Sequence, residues 1–167
     1  MKNAISFFMM ILITSLFLIS CNKSNEISDP ILKLESPNGT TIAKSVDELR
    51  SIITPSINKK FKSAVDFKLT KISFLDVKKG AVAEIEYSTS SGINSNIVIM
   101  KECHTQFICS AKNVEGLITN ENSLKSAAII TFSCSGEPCC QVHARLNPDG
   151  TINYDCSCAN CAMLVEF

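Results

Sequence analysis

Residues 139–158 read CCQVHARLNPDGTINYDCSC. Asn147-Pro148-Asp149-Gly150 is the strongest turn signal in the chain, because Pro presets φ at the second position of a type I turn and Gly accepts the left-handed position that ends it. Pairing Asn147 with Thr151 then registers everything outward. Leu146–Ile152, Ala144–Tyr154, Val142–Cys156 and Cys140–Cys158 fall on one face. Arg145–Asn153, His143–Asp155 and Gln141–Ser157 fall on the other. Apolar and polar residues separate without exception over these seven pairs, and a slip of one residue would mix the faces. The stretch is therefore a β-hairpin. Cys140–Cys158 falls at a non-hydrogen-bonded position, where Cα atoms lie about 4.5 Å apart. A disulfide can span that distance, so the register predicts a Cys140–Cys158 bridge.

The remaining cysteines are read outward from this pair. Cys139 points to the face opposite Cys140 and calls for a partner of its own. Cys134 precedes them across Ser135-Gly136-Glu137-Pro138, a loop that redirects the chain. Cys103 and Cys109 flank His104–Ile108, where a tight connection brings them together as a second pair. Among Cys134, Cys139, Cys156 and Cys161 the pairing stays open.

Three chemistries compete for these thiols. An even set of eight in an oxidising compartment reads first as a disulfide framework pinning a β region with a thin core, each bridge contributing about 2–4 kcal/mol. The alternative is a zinc or copper site built from Cys134, Cys139, Cys140, Cys156, Cys158 and Cys161, with His104, His143 and Met163 as further donors. Against it, the two thiol groups do not form a clean paired Cys-x2-Cys pattern. The third is redox catalysis through Cys158-Ala159-Asn160-Cys161. Such a motif needs a helix N-terminus to lower its thiol pKa, and Ala162–Phe167 leave no room for one.

Upstream, the chain reads as a small α+β unit. Ile31–Leu34 and Thr40–Ala43 are strand candidates joined by Ser36-Pro37-Asn38-Gly39. Ser45-Val46-Asp47-Glu48 matches a capping box, in which the Ser45 hydroxyl accepts the Glu48 amide and the Glu48 carboxylate reaches back to the Ser45 amide. Leu49, Ile52 and Ile53 follow at helical spacing, and Pro55 limits the helix. Phe67 and Leu69 share one parity while Ile72 and Phe74 share the other, which requires a bulge near Thr70–Lys71. Ala81–Tyr87 alternates as a strand, and Ile97–Lys101 is the next. No phosphate loop, dinucleotide fingerprint or internal repeat occurs.

Two acidic arrangements invite a catalytic reading. Glu84 and Glu86 lie two apart on one strand and read as its solvated face, since glycosidase carboxyls come from across a cleft. His143 opposite Asp155 suggests an acid/base dyad, but no nucleophile can be tied to it. It reads as an exposed cross-strand pair.

Residues 1–20, MKNAISFFMMILITSLFLIS, carry one early lysine and then an uncharged run from Ala4 to Ile19. The run is slightly long for a secretory h-region and short for a spanning helix. Leu18-Ile19-Ser20-Cys21 resembles the bacterial lipobox. The resemblance implies diacylglycerol on the Cys21 thiol, cleavage before it and acylation of its amine, so the acyl chains hold the protein to a membrane. Asn22 follows where enterobacterial lipoproteins retained at the inner membrane carry Asp, which points to the outer membrane. Residues 22–30 read as a polar tether.

Cleavage leaves 147 residues (167 less 20) with 15 basic and 16 acidic side chains once Lys2 is removed. That balance holds no basic field for nucleic acid. The absence of Trp and the presence of only Tyr87 and Tyr154 argue against an aromatic glycan-binding surface.

These readings combine into an α+β protein. A short N-terminal helix goes with an antiparallel β meander, followed by a cysteine-rich antiparallel β region ending in a hairpin. The expected segments are a signal peptide at 1–20, the lipidated cysteine and tether at 21–30, a small α+β subdomain at 31–102 and the cysteine-rich region at 103–167. The expected function is a non-enzymatic, disulfide-stapled binding or structural module of the envelope. It is membrane-bound through Cys21, takes an unknown protein or small ligand, and needs no cofactor.

Overall fold

A computed structural model of the chain describes residues 32–102, 107–109, 114–115, 129–137 and 139–166. The leader, lipobox and tether lie outside these residues, as does Cys103 of the expected Cys103–Cys109 pair.

Ser45 starts helix α1 (Val46–Phe61) from an extended backbone, its hydroxyl accepting the Glu48 amide at 3.1 Å. The Glu48 carboxylate reaches back one residue further than expected, to the Lys44 amide. The helix does not stop at Pro55. It continues to Phe61 and closes with Lys62 in the left-handed region. An interior proline costs about 3 kcal/mol, and burial offsets it. Leu49, Ile53 and Ile57 are all at most 1% exposed, and burying a side chain such as Ile57 alone is worth about 1.5–3 kcal/mol. Ser56 and Lys60 add polar contacts beyond the proline.

Ser36–Gly39 turns the chain as its residues require, with Gly39 at φ +87°. Among the described residues the two flanking strands reduce to one bridge, Glu35 with Thr41.

Strands β1 (Phe67–Phe74), β2 (Ala81–Thr89) and β3 (Asn94–Lys101) form the antiparallel meander. The register of β1 shifts between Leu69 and Lys71. The extra residue is Thr70, and the bulge returns Ile72 and Phe74 to the face of Phe67 and Leu69. Beyond these come β4 (Phe107–Cys109), β5 (Val114–Glu115), β6 (Ile129–Ser135), β7 (Val142–Leu146), β8 (Ile152–Cys156) and β9 (Ala162–Glu166). The cysteine-rich half feeds both sheets. A six-stranded sheet runs β1-β2-β3-β6-β9-β5, and a three-stranded one runs β4-β8-β7. Neither is purely antiparallel, because β4 pairs parallel to β8 and β5 parallel to β9.

The large sheet is covered on both faces. Helix α1 lies against Phe67, Leu69, Ala83, Ile85, Ile97 and Ile99. On the other face Val82, Val98, Met100, Phe132, Met163 and Val165 meet Val142, Ile152 and Tyr154 of the small sheet. Phe132 and Tyr154 stack across this second core at 4.0 Å between ring centres, a favourable aromatic arrangement. Double coverage explains why Ser95–Met100 is buried without alternation. The core around the cysteines is therefore thick, contrary to the thin one expected. Among the described residues no helix is long and apolar enough to cross a membrane.

Candidate functional site: a three-bridge knuckle

The hairpin pairs as its sequence dictates: Val142 with Cys156, His143 with Asp155, Ala144 with Tyr154, Arg145 with Asn153 and Leu146 with Ile152. Leu146 remains exposed although its face is the apolar one. The turn at 147–150 marks one end of the hairpin, and the cysteines gather at the other.

There the ladder stops one pair short of Cys140 and Cys158. Ser157 donates its amide to the Gln141 carbonyl at 2.9 Å. The return bond, from the Gln141 amide, goes to the Ser157 hydroxyl at 3.0 Å instead of its carbonyl. Two turns follow at once, closed by the Cys140 amide on the Glu137 carbonyl and the Cys161 amide on the Cys158 carbonyl. They swing Cys140 into the core, where it is fully buried. The bridges are Cys134–Cys156, Cys139–Cys158 and Cys140–Cys161. The expected Cys140–Cys158 pairing is thus corrected: the register holds, but it ends before it reaches those residues. Cys139 and Cys140 take separate partners, as their opposed directions require.

Cys134–Cys156 joins β6 of the large sheet to β8 of the small one, with Cα atoms 5.9 Å apart. The other two bridges join the β6–β7 connection to the β8–β9 connection. All three therefore tie residues 134–140 to residues 156–161. Gly136 lets these segments touch. It has φ +127°, and a Cβ there would lie 3.1 Å from both the Cys140 sulfur and the Asn160 carbonyl oxygen. Glu137, Cys139, Ser157, Ala159 and Asn160 remain exposed on the resulting knuckle.

Two polar side chains, one buried and one half-buried, brace it from behind. Asn96, 2% exposed, accepts the Val142 amide at 2.9 Å and donates to the Val142 carbonyl at 2.7 Å. It also donates to Glu84. Lys60, from the last turns of α1, donates to the Cys140 carbonyl at 2.7 Å and to the Ser95 hydroxyl. The helix is further tied to the sheet through Ser56, which bonds Thr131 and Glu166. None of these was singled out from sequence.

Burial lowers the Lys60 ammonium from 10.5 to about 8. A lowered folded-state value means that the charged amine is disfavoured in the fold. The resulting penalty is complete below about pH 8 and vanishes above the unfolded value of 10.5. Stability from this group therefore rises with pH across that window, by about 2 kcal/mol between pH 8 and 10. Tyr87, pushed up to about 12 by its own burial against the opposing influence of Ser95, acts with the opposite sign above pH 10. Urea midpoints at pH 8 and pH 10 isolate the lysine: Lys60→Met is expected to lose the rise. An equal rise in both proteins would show that Lys60 does not titrate in this range.

The other singled-out residues sit apart from the knuckle or are already engaged. Glu84 is held by Asn96, and Glu86 pairs with Lys71 at 2.9 Å, so they do not act as two like carboxylates. His143 and Asp155 face each other on the outer side of the hairpin, and Arg145 lies 3.6 Å from the Asp155 carboxylate. Cys161 leads into strand β9, so Cys158–Cys161 does not open a helix. All six sulfurs of the metal alternative are in bridges, and no group of three or more His, Cys, Asp or Glu that could hold a metal occurs among the described residues. Compared with family models, curated proteins and solved structures, the chain matches none of them.

Proposed function

We propose that the protein is a lipoprotein of the cell envelope, held at the outer membrane through acyl chains on Cys21, whose three-bridge knuckle is a rigid, non-enzymatic binding surface. The observation that carries this reading is the convergence of all three bridges on the same two short segments. Spans of 22, 19 and 21 residues would each stabilise the fold by about 3 kcal/mol alone. Closing the same stretch three times adds less with each bridge, so global stability is a poor account of all three. What the set does achieve is a pair of surface loops with little freedom left to lose, and preorganisation of that kind raises affinity. The occupant fitting an exposed, nearly uncharged patch around Ala159 and Asn160 is a protein of the envelope. The zinc or copper alternative requires the six bridged cysteines as thiolates, so it applies only to a reduced protein.

The test places a photo-crosslinking residue at Asn160 in the full chain in cells, with the same residue at Asp149 on the opposite hairpin end as control. A discrete adduct from position 160 alone is expected, in the membrane fraction, with Cys21→Ser releasing the protein from that fraction. Equal adducts from both positions, or none from either, would sink the binding surface. A Cys21→Ser protein that stays with the membrane would sink the anchor.

A further inference from the structure

We propose that Cys139–Cys158 is a thiol-exchange site, a bridge that an envelope dithiol opens, and that the disulfide form of the same reagent remakes, while the fold stands. The proposal rests on the knuckle being the binding surface, since it names how that surface is switched.

The three bridges differ in what surrounds their sulfurs. Cys134 and Cys140 are fully buried, Cys161 is 4% exposed, and Cys156 and Cys158 are half-buried against the same core. Cys139 is the one bridged cysteine that is exposed. Exchange needs an attacking thiolate to reach a sulfur, and Cys139 offers that approach. Opening this bridge also requires no unfolding. Cys134–Cys156 and Cys140–Cys161 join the same two segments on either side of it, so the chains stay in register when it breaks.

The local groups bias the direction of cleavage. The Ser157 hydroxyl lies 3.8 Å from the Cys158 sulfur and 2.5 Å from the Cys139 carbonyl oxygen, to which it donates. When the Cys139–Cys158 bond breaks, that hydroxyl can turn to the Cys158 thiolate and stabilise it. The incoming thiolate therefore attacks the Cys139 sulfur. The S–S bond breaks, its electron pair leaves on Cys158, and solvent supplies the proton. The mixed disulfide on Cys139 is then attacked by the reductant's second thiol. This frees the Cys139 thiolate, which takes its own proton, and leaves the reductant as a disulfide. Two electrons and two protons move in all.

Opening relaxes the knuckle where it is most exposed. Cys139 regains its freedom, and the Ser157 hydroxyl, shared between the Gln141 amide and the Cys139 carbonyl, loses the fixed geometry that holds the loops together.

The test treats the oxidised full chain with graded dithiothreitol, quenches with an alkylating agent and maps the labelled cysteines, while circular dichroism follows the fold. Cys139 and Cys158 are expected to label together, at least about tenfold faster than the other bridged cysteines, with the spectrum unchanged. Labelling of another pair first, of all six at once, or of Cys139 and Cys158 only as the spectrum collapses would overturn the proposal. Cys139→Ser/Cys158→Ser supplies the check: it is expected to fold and to lack the fast phase, and a fast phase that persists overturns the assignment. These readouts count thiols and need no partner, so a failed exchange and a failed binding surface are told apart.

Discussion

Replacing Asn96 with alanine is expected to lower the unfolding free energy by about 4 kcal/mol. Its amide holds both backbone groups of Val142, at 2.9 and 2.7 Å, in the manner of a neighbouring strand. Val142 is fully buried, so water cannot take over. Each orphaned group costs about 1–3 kcal/mol, and two are orphaned together. Loss of the Asn96 bond to Glu84 adds a smaller amount. Aspartate at 96 distinguishes this account from simple loss of volume. It can still accept the Val142 amide but cannot donate to the carbonyl, and it brings a second carboxylate toward Glu84. It should cost at least as much as alanine near neutral pH and recover part of the loss on acidification. Urea unfolding checks both variants. A midpoint shift at constant slope is expected, and a loss under about 1 kcal/mol would show that Val142 finds another partner.

The same residue shows where the sequence stops being informative. Asn is depleted in strands, and the sequence marks this strand only from Ile97 to Lys101. In the structure β3 begins at Asn94, because Asn96 substitutes for a peptide group at the junction of two sheets. A clamp between residues 46 apart in the chain has no local signature. The helix shows the same limit. Its start is written in Ser45 and Glu48, neighbours in sequence, whereas its passage through Pro55 depends on Ile57 and Lys60 meeting strands formed later in the chain.

Local periodicity succeeded where its reach sufficed. The β1 bulge follows from a parity change within eight residues, and the β7–β8 register follows from a turn and the alternation flanking it. The bridges lie just beyond that reach. Their pairing depends on where the ladder ends, and the ladder ends through a hydroxyl, Ser157, that occupies the position of a backbone carbonyl. Alternation specifies which residues face each other, but it does not specify where two strands part. The six-stranded sheet was illegible for a related reason. Its central neighbours β3 and β6 come from distant parts of the chain, and burial on both faces erases the polar alternation that would mark either as half-exposed.

Replacing Cys134 and Cys156 together with alanine should cost about 4 kcal/mol, whereas replacing Cys139 and Cys158 should cost about 1 kcal/mol less. Chain entropy does not separate them, because their spans of 22 and 19 residues give nearly the same value of about 3 kcal/mol in isolation. In either variant two bridges survive and keep the segments joined, which reduces the entropic loss to roughly 2 kcal/mol or below. Burial makes the difference. Cys134 sits fully buried in the core between the sheets, opposite Met163 in the β6–β9 ladder, and Cys156 packs against the same core. Truncating two sulfurs there leaves a void between layers, at about 1 kcal/mol for each buried heavy atom removed. Cys158 packs against the core as Cys156 does, but Cys139 is exposed and leaves no void. Urea denaturation of the two double variants without reductant measures the contrast. Equal losses would mean that the bridges act through the unfolded chain alone, and the buried bridge would then have no special part in joining the two sheets.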